Sequence, residues 1–373
     1  MDFHRSEQTA DLAGLTRDIT KKLVTTERLE TLEHRGSAPG AQQGSFDPEL
    51  WTQLAASGLL ALELDDDLTV LDNLAIAEEL GRALALVPFG PVAFAAVPAI
   101  ARFGTEELKA RRLPGLSEGT SIVTVGLDED LADDPLAPVS TATPNDDGWA
   151  LSGAKLNVPY GEYADAIIVN VAAPQGPMVF LVPTDRAGLT ITPALSTGQA
   201  PAALIELDGV AVTAEDQLGD PGTAVIDFLR DRMTLALCAE QTGILERALE
   251  LTAEYGRERE QFDRKIGSFQ AVAQRLADAY IDVRGLRLTT LQAGWLLSEG
   301  LEAGKELATA KFWAADAGHR VAHTAVHVHG GVGIDIDHPV HRYFLRAKQN
   351  EFDLGSAPVQ LRRIGSALAT EPA

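Results

Sequence analysis

The sequence predicts a mainly helical protein with a small β-domain in its middle, and three observations support this fold class. Only 6% of the 373 residues are aromatic, while Ala and Leu are abundant, a balance that favours helices over a β-sandwich. The hydrophobic spacing is helical at first, then typical of short strands, then helical again. This order disfavours an alternating βαβ nucleotide-binding fold. We expect an N-terminal helical domain at 1–117, an antiparallel β-domain at 118–216 and a C-terminal helical bundle at 217–373.

The N-terminal third contains several helix signals. Residues 1–35 have a charged helical pattern, and 36–45 form a loop rich in Gly, Ser, Pro and Gln. Asp47 as N-cap and Pro48 in the first turn open the next helix. Three further helices are predicted in "LTVLDNLAIAEELGRALAL", "PVAFAAVPAIARFG" and "TEELKARRLPGLSEG".

The middle region has the pattern of a small sheet. Short β-branched segments, separated by turn residues, are typical of antiparallel strands. They are "SIVTVGL", "GWALSGAKLNV", "ADAIIVNVAA", "PMVFLVP", "LTITPAL" and "AALIELDGVAV".

The C-terminal region contains three long amphipathic segments, which start near 222, 266 and 304, and two shorter helical segments after "HGG". Long segments of this kind, joined by short connections, predict an up-down bundle.

Composition excludes several classes of function. A net charge of −23 disfavours binding to nucleic acid or to anionic membranes. The single cysteine, Cys238, excludes an intrachain disulfide. The N-terminus lacks the apolar stretch of a signal peptide, and Pro and Gly interrupt every long apolar run. We therefore expect a cytoplasmic protein.

Five C-terminal histidines lack partners at metal-ligand spacing, so we expect no metal site.

Two long C-terminal motifs are similar to those of a known family. "EYGREREQFDRKIGSFQAVAQRLADAY" (254–280) and "VHVHGGVGIDIDHPVHRYFLRAK" (326–348) resemble the acyl-CoA dehydrogenase family, as do the N-terminal "WTQLAASGLLALEL" and "AIAEELGRALALVPFG". The resemblance extends from about residue 46 to the end. It implies a four-helix bundle after the β-domain, assembly into tetramers, FAD, and an electron-transfer flavoprotein as electron acceptor. The implied reaction is α,β-dehydrogenation of an acyl-CoA thioester, in which a carboxylate removes the α-proton and FAD accepts a hydride.

The resemblance also implies which residues bind the cofactor. Arg259 matches the arginine that contacts the FAD pyrophosphate of a neighbouring subunit, where a planar guanidinium donates two hydrogen bonds. Gly330 and Gly331 match a loop whose glycines let the backbone approach that cofactor. The other cofactor-side positions are Gln261, Phe262, Gln270, Ser356 and His327, which stands where the family commonly has Gln. Phe262 could instead be an ordinary core residue.

The catalytic positions depart from the family pattern. The family places its catalytic glutamate immediately before the glycine of the turn that matches "FDLGSAP", where this chain has Leu354, or on the first long bundle helix, where it has Met233. Neither side chain can accept a proton. Asp353 precedes Leu354 directly and Asp231 lies two residues before Met233; Asp353 is a weak candidate for a displaced base.

The residues that would contact the chain's own flavin also differ. In "KLNVPY", Asn157 and Pro159 stand where the family has Trp and Thr, and "LDEDLADD" (127–134) replaces another flavin-side motif. We therefore expect the non-catalytic subunit of a heteromeric (α2β2) acyl-CoA dehydrogenase, an arrangement of some bacterial members that act on bulky acyl groups such as steroid side chains. The alternatives are a self-sufficient dehydrogenase with a displaced base, a flavin oxidase or hydroxylase of a non-CoA substrate, and a scaffold without FAD.

Overall fold

The computed structural model describes residues 5–35, 45–130, 134–194 and 196–370, so most of the predicted 36–45 loop lies outside the described residues. The predicted helix start near residue 47 is confirmed, because the Asp47 side chain accepts a hydrogen bond from the Leu50 N–H and Pro48 begins the helix. The helices before the sheet are α1 (Glu7–Leu23), α2 (Thr26–Arg35), α3 (Pro48–Ala56), α4 (Val70–Arg82), α5 (Val97–Phe103) and α6 (Glu106–Ser117).

A π-helical segment, Gly90–Ala96, precedes α5 where the sequence predicts an ordinary helix. Pro98 has no N–H, so it cannot donate to the Phe94 carbonyl four residues earlier. The buried Arg232 satisfies this carbonyl instead, since its Nε donates to the Phe94 oxygen at 2.7 Å. A contact between residues so distant in sequence gives no local signal.

The middle of the chain forms one seven-stranded sheet in the order β1-β4-β2-β3-β7-β6, with β5 also paired to β4. The strands are β1 (Val123–Gly126), β2 (Thr141–Asn145), β3 (Gly148–Pro159), β4 (Ala166–Ala173), β5 (Gly176–Pro183), β6 (Leu189–Ala194) and β7 (Ala202–Val212).

The sheet differs from the expected antiparallel arrangement at two pairings. β1 pairs with β4, and β2 with β4, in parallel, whereas the other four pairings are antiparallel. Long connections separate these strands in sequence, so no hairpin fixes their direction. β2 was not predicted as a strand because most of its short sequence is exposed and it contains Pro144.

The predicted C-terminal helices are confirmed as α7 (Ala224–Glu258), α8 (Gln270–Ser298), α9 (Gly304–His329), α10 (Val340–Phe352) and α11 (Ala357–Thr370). Helix α9 packs against α8, α10 and α11. Helices α4 and α7 cross with their backbones in contact, since a Cβ at Gly243 would lie 1.9 Å from the Glu78 carbonyl oxygen. Only glycine fits this crossing.

The contacts divide the chain into two compact units that alternate along the sequence. One contains Met1–Thr26, Val70–Ala85 and Thr234–Ala373, and the other contains Glu27–Thr69 and Leu86–Met233. The boundaries of the three domains expected from sequence stay a prediction. None of the described helices is both long and apolar enough to cross a membrane.

Candidate active site

A two-residue hairpin follows α7 and exposes Phe262. The strands β8 (Glu260–Gln261) and β9 (Arg264–Lys265) pair antiparallel, and the turn residues Phe262 and Asp263 have φ of 54° and 61°. Two consecutive left-handed residues define a type I′ turn, which normally prefers Asn and Gly. The Phe262 side chain is 88% exposed, so the core role considered for it is wrong. An exposed aromatic residue on a strained backbone is a candidate for contact with another molecule, and this contact stays a prediction.

Arg259 lies at the base of this hairpin and has a fixed backbone. Its N–H donates to the Tyr255 carbonyl, and its own carbonyl accepts from the Ile266 N–H, both at 2.8 Å. The side chain is exposed, and its guanidinium has no hydrogen-bond or ion-pair partner among the described residues. Gln261 is also exposed, and its Nε2 donates to the neighbouring Glu260 carbonyl. Arg259 can therefore bind an anionic group without breaking a contact of its own.

The glycine loop after α9 lies close to the end of α7. The rings of Tyr255 and His329 stack with centroids 4.4 Å apart, and His329 immediately precedes Gly330. Gly330 has φ of 64°, and a Cβ on Gly330 or Gly331 would meet nothing within 4 Å. Burial lowers the pKa of His329, which favours its neutral form beside the loop. The residue that precedes this open backbone, His329, thus stacks on Tyr255, which lies one helical turn before Arg259.

Two further predicted cofactor residues are exposed in the same unit. Gln270 is the first residue of α8, and His327 lies in the last turn of α9, where its carbonyl accepts from the Gly330 N–H. Their contact with a cofactor stays a prediction.

The turn that follows α10 retains a defined conformation without an acid. Leu354 and Gly355 have φ of 57° and 97°. The buried Gln360 side chain donates to both of their carbonyl oxygens, at 3.0 and 3.1 Å. Ser356 is half-buried and follows them. The position that would hold a base carries a half-buried leucine in a turn that is otherwise intact.

The carboxylates considered as displaced bases are engaged with neighbouring side chains. Asp353 accepts a hydrogen bond from Gln349 Nε2 at 3.2 Å. Asp231 accepts from both Nε and Nη2 of Arg230, at 3.0 and 2.8 Å. Each contact engages one oxygen of the carboxylate, Asp353 Oδ2 and Asp231 Oδ1. Asp353 stays a weak candidate.

In the other unit, β3 is irregular where the family would contact the flavin. Its pairing with β7 shifts between Lys155 and Val158, and Asn157 in this bulge has φ of 49°. Pro159 has no N–H to donate. The large aromatic side chain and the hydroxyl expected at these two positions are both missing.

A buried ion pair beneath this bulge was missed by the sequence analysis. Lys155 is 0% exposed, and its Nζ lies 2.5 Å from Glu129 Oε1 and 2.7 Å from Asn170 Oδ1. Glu129 also accepts from the N–H groups of Val139 and Ser140, so it connects the segment that replaces the flavin-side motif to the residues just before β2. A lysine between apolar residues of the predicted strand "GWALSGAKLNV" was the available signal.

The pKa values of this pair follow from burial and charge. Burial lowers the pKa of Lys155 to about 8. Burial alone would raise the pKa of Glu129, but the adjacent ammonium brings it below its ordinary value.

The retained residues fit one part of FAD and not another. The unpartnered Arg259 and the open glycine backbone suit a pyrophosphate. Asn157 and Pro159 do not supply the contacts expected for a flavin ring. Within the described ranges, no group of three His, Cys, Asp or Glu side chains could hold a metal ion.

Comparisons with known proteins agree with this fold. Residues 16–120 match the model of the acyl-CoA dehydrogenase N-terminal domain, and residues 223–369 match that of the C-terminal domain. The chain is 45% identical to acyl-CoA dehydrogenase FadE27 of Mycobacterium tuberculosis, over 100% of both chains. It is 29% identical to the probable acyl-CoA dehydrogenase YngJ of Bacillus subtilis, over 96% of this chain and 97% of the other.

Two solved structures resemble the chain over nearly its full length. The structure of the ChsE4-ChsE5 complex from Mycobacterium tuberculosis contains a chain that is 46% identical, with a TM-score of 0.93 and 100% coverage of both chains. A variant of the Tcur3481-Tcur3483 steroid ACAD contains one that is 38% identical, with a TM-score of 0.89, covering 97% of this chain and 98% of the other.

Proposed function

Because the chain belongs to the acyl-CoA dehydrogenase family, we propose that it is one subunit of a heteromeric FAD-dependent enzyme whose partner subunit supplies the catalytic carboxylate. The complex oxidises an acyl-CoA thioester between its α and β carbons. The observation that carries this proposal is Leu354, an apolar side chain at the base position of a turn whose backbone is intact. Met233 leaves the second base position without a carboxylate as well.

The two similar solved structures support a two-component assembly and a substrate class. One is described as a complex of ChsE4 with ChsE5, and the other as a steroid ACAD with two named components. We infer a partner that is itself a member of the family, and an acyl-CoA with a steroid-derived acyl group. We further propose a cytoplasmic location and an electron-transfer flavoprotein as the acceptor.

The chain's own residues contribute binding rather than proton transfer. FAD, when bound, supplies the hydride acceptor. Arg259 would donate two hydrogen bonds to its pyrophosphate, and Gly330 and Gly331 would let backbone N–H groups approach. Phe262, held outward by its hairpin, would pack against the partner or its cofactor. The α-proton is weakly acidic and needs a positioned base, which the partner must present.

Purification of the chain alone and together with a partner tests whether the partner supplies the catalytic carboxylate. The chain would be purified alone and with a candidate partner that carries glutamate at either base position. We expect stoichiometric FAD and acyl-CoA oxidation only from the joint preparation, and no turnover when the partner's glutamate is replaced by glutamine. Stoichiometric FAD and acyl-CoA oxidation by this chain alone would end the proposal.

Replacement of Arg259 tests the pyrophosphate contact. The Arg259→Ala complex should bind FAD about 10- to 100-fold more weakly, the loss expected for hydrogen bonds to a charged group. Arg257→Ala is a matched control, because Arg257 is an exposed arginine near the end of the same helix. Equal flavin retention in both variants would contradict the assigned role.

Replacement of Asp353 tests the competing reading of a self-sufficient enzyme. If Asp353 is the base, Asp353→Asn should abolish turnover of the chain. Unchanged turnover would exclude Asp353 as the base of a self-sufficient dehydrogenase. If neither the chain nor the complex shows a flavin spectrum, a scaffold without FAD is favoured instead.

A further inference from the structure

Two buried side chains from other helices hold the Phe352–Ser356 turn. Gln360 on α11 and Lys311 on α9 are each 0% exposed. Their hydrogen bonds reach four backbone carbonyls around this turn, those of Asn350, Glu351, Leu354 and Gly355. Neither residue takes part in the function proposed above.

Gln360 stabilises the least favourable part of the turn. Leu354 adopts the left-handed region, where the Cβ of a leucine crowds the following carbonyl. Gln360 Nε2 donates to the Leu354 and Gly355 carbonyls, so both N–H groups of its amide are used. A Cβ at Gly355 would lie 2.9 Å from the same nitrogen. The amide and the turn are therefore fitted closely to each other.

Lys311 fixes the end of the helix that leads into the turn. Its Nζ donates to the Asn350 carbonyl at 3.0 Å and to the Glu351 carbonyl at 3.3 Å. Among the described residues, no carboxylate lies within ion-pair distance of this ammonium. A cation at the C-terminal end of a helix interacts favourably with the helix dipole.

The burial of Lys311 is costly, which indicates a specific task. Burial lowers its pKa to about 8, an effect that the Cys238 thiol and the nearby carboxylates of Asp353 and Glu351 offset only in part. Lysines are almost never fully buried unless they are paired. An apolar residue would fill the same space without this penalty but would leave two carbonyls unsatisfied.

We propose that Gln360 and Lys311 are positioning residues that lock the Phe352–Ser356 turn in one backbone conformation and so present Gly355 and Ser356 to the cofactor. The cofactor contact rests on the proposed function, whereas the lock itself depends only on the contacts within this unit. The chain has thus lost the acid of the turn while keeping the side chains that orient it.

Hydrogen exchange at the turn tests the lock directly. The Asp353 and Gly355 amides report on it, since they donate to the Gln349 and Phe352 carbonyls. In the complex with its partner, Gln360→Glu and Lys311→Met should each speed exchange of these amides by about tenfold, the factor expected when ordinary hydrogen bonds are lost. Gln292→Glu on the exposed face of α8 is the control and should change nothing at the turn.

A second-site substitution separates positioning from general stability. Asn tolerates the left-handed region better than Leu, so Leu354→Asn should restore slow exchange in the Gln360→Glu background. General destabilisation would not be rescued there. If Gln360→Glu does not fold, Gln360→Leu removes the same two donors and is measured in its place.

The FAD dissociation constant of each complex provides the second measurement. We expect it to rise in Gln360→Glu and Lys311→Met, and to recover with Leu354→Asn in the Gln360→Glu background. Unchanged exchange in both single variants would overturn the lock. Faster exchange with unchanged FAD binding would overturn the cofactor contact alone. A wild-type complex without FAD would refute the proposed function. The exchange experiment would still show whether Gln360 and Lys311 hold the turn in one conformation.

Discussion

Replacing Lys155 by methionine should lower the free energy of unfolding by about 3–5 kcal/mol, the range measured when one partner of a buried ion pair is removed. Both side chains of the pair are buried, Lys155 at 0% and Glu129 at 1% exposure. The change leaves a buried carboxylate whose remaining donors are Val139 and Ser140, and it also removes the ammonium donor to Asn170 Oδ1. These losses place the expected effect in the upper part of the range for single substitutions.

A double-mutant cycle isolates the pair from the loss of packing. Glu129→Gln in the Lys155→Met background removes the uncompensated charge, so the double variant should be more stable than the sum of the single effects by about 0.5–3 kcal/mol. Urea unfolding followed by tryptophan fluorescence would measure each free energy, and one of the four indoles, that of Trp149, packs against Phe180 in the sheet.

A surface ion pair of the same unit provides the matched control. Lys109 Nζ lies 2.8 Å from Glu106 Oε1, but the Glu106 side chain is 85% exposed. Lys109→Met should therefore cost less than about 1 kcal/mol. The reasoning about burial is refuted if Lys155→Met costs no more than Lys109→Met.

Three other predictions concern helix packing, pH and assembly. Gly243→Ala would place a Cβ 1.9 Å from the Glu78 carbonyl oxygen and should destabilise the protein by about 1–3 kcal/mol in chemical unfolding. Gly365→Ala on α11, where a Cβ meets nothing within 4 Å, should instead be neutral or stabilising. The pKa of Lys155 is about 8 in the folded state against an ordinary 10.5, so the folded state binds fewer protons and the unfolding free energy should rise across this pH interval. Titration of unfolding should show less of this rise in Lys155→Met; an identical rise would contradict the shift. Phe262→Asn should raise the melting temperature, because Asn tolerates its left-handed backbone, but should weaken association with the partner in sedimentation experiments. Undiminished association would exclude Phe262 from the interface.

Much of the fold follows from local sequence signals, and its exceptions have physical causes. The N-cap at Asp47 and the long C-terminal helices were predicted because caps and hydrophobic periodicity are local properties. The π-helical segment contains the Phe94 carbonyl that Arg232 satisfies, and Arg232 is far from Phe94 in sequence. The hairpin after α7 has Phe-Asp at its turn in place of the usual Asn-Gly, so its sequence does not predict a type I′ turn.

The candidate site was only partly predictable, because contacts between residues distant in sequence leave no local signal. Resemblance to the family identified Arg259 and Gly330, and the stacking of Tyr255 on His329 explains how distant helices bring them close together. Their contact with FAD stays a prediction. No motif indicated Lys311, since its role depends on carbonyls at the end of another helix. Backbone acceptors carry no sequence signature.

Apolar side chains exposed on the hairpin and after the glycine loop have a consequence for how the cell must produce this protein. Phe262, Ile334 and Ile336 are 88%, 73% and 72% exposed. Copies made in excess of the partner would leave these apolar side chains in water, where such surface promotes aggregation. The net charge of −23 opposes contact between these orphan copies. Balanced synthesis of the two chains would therefore be a requirement for solubility as well as for catalysis.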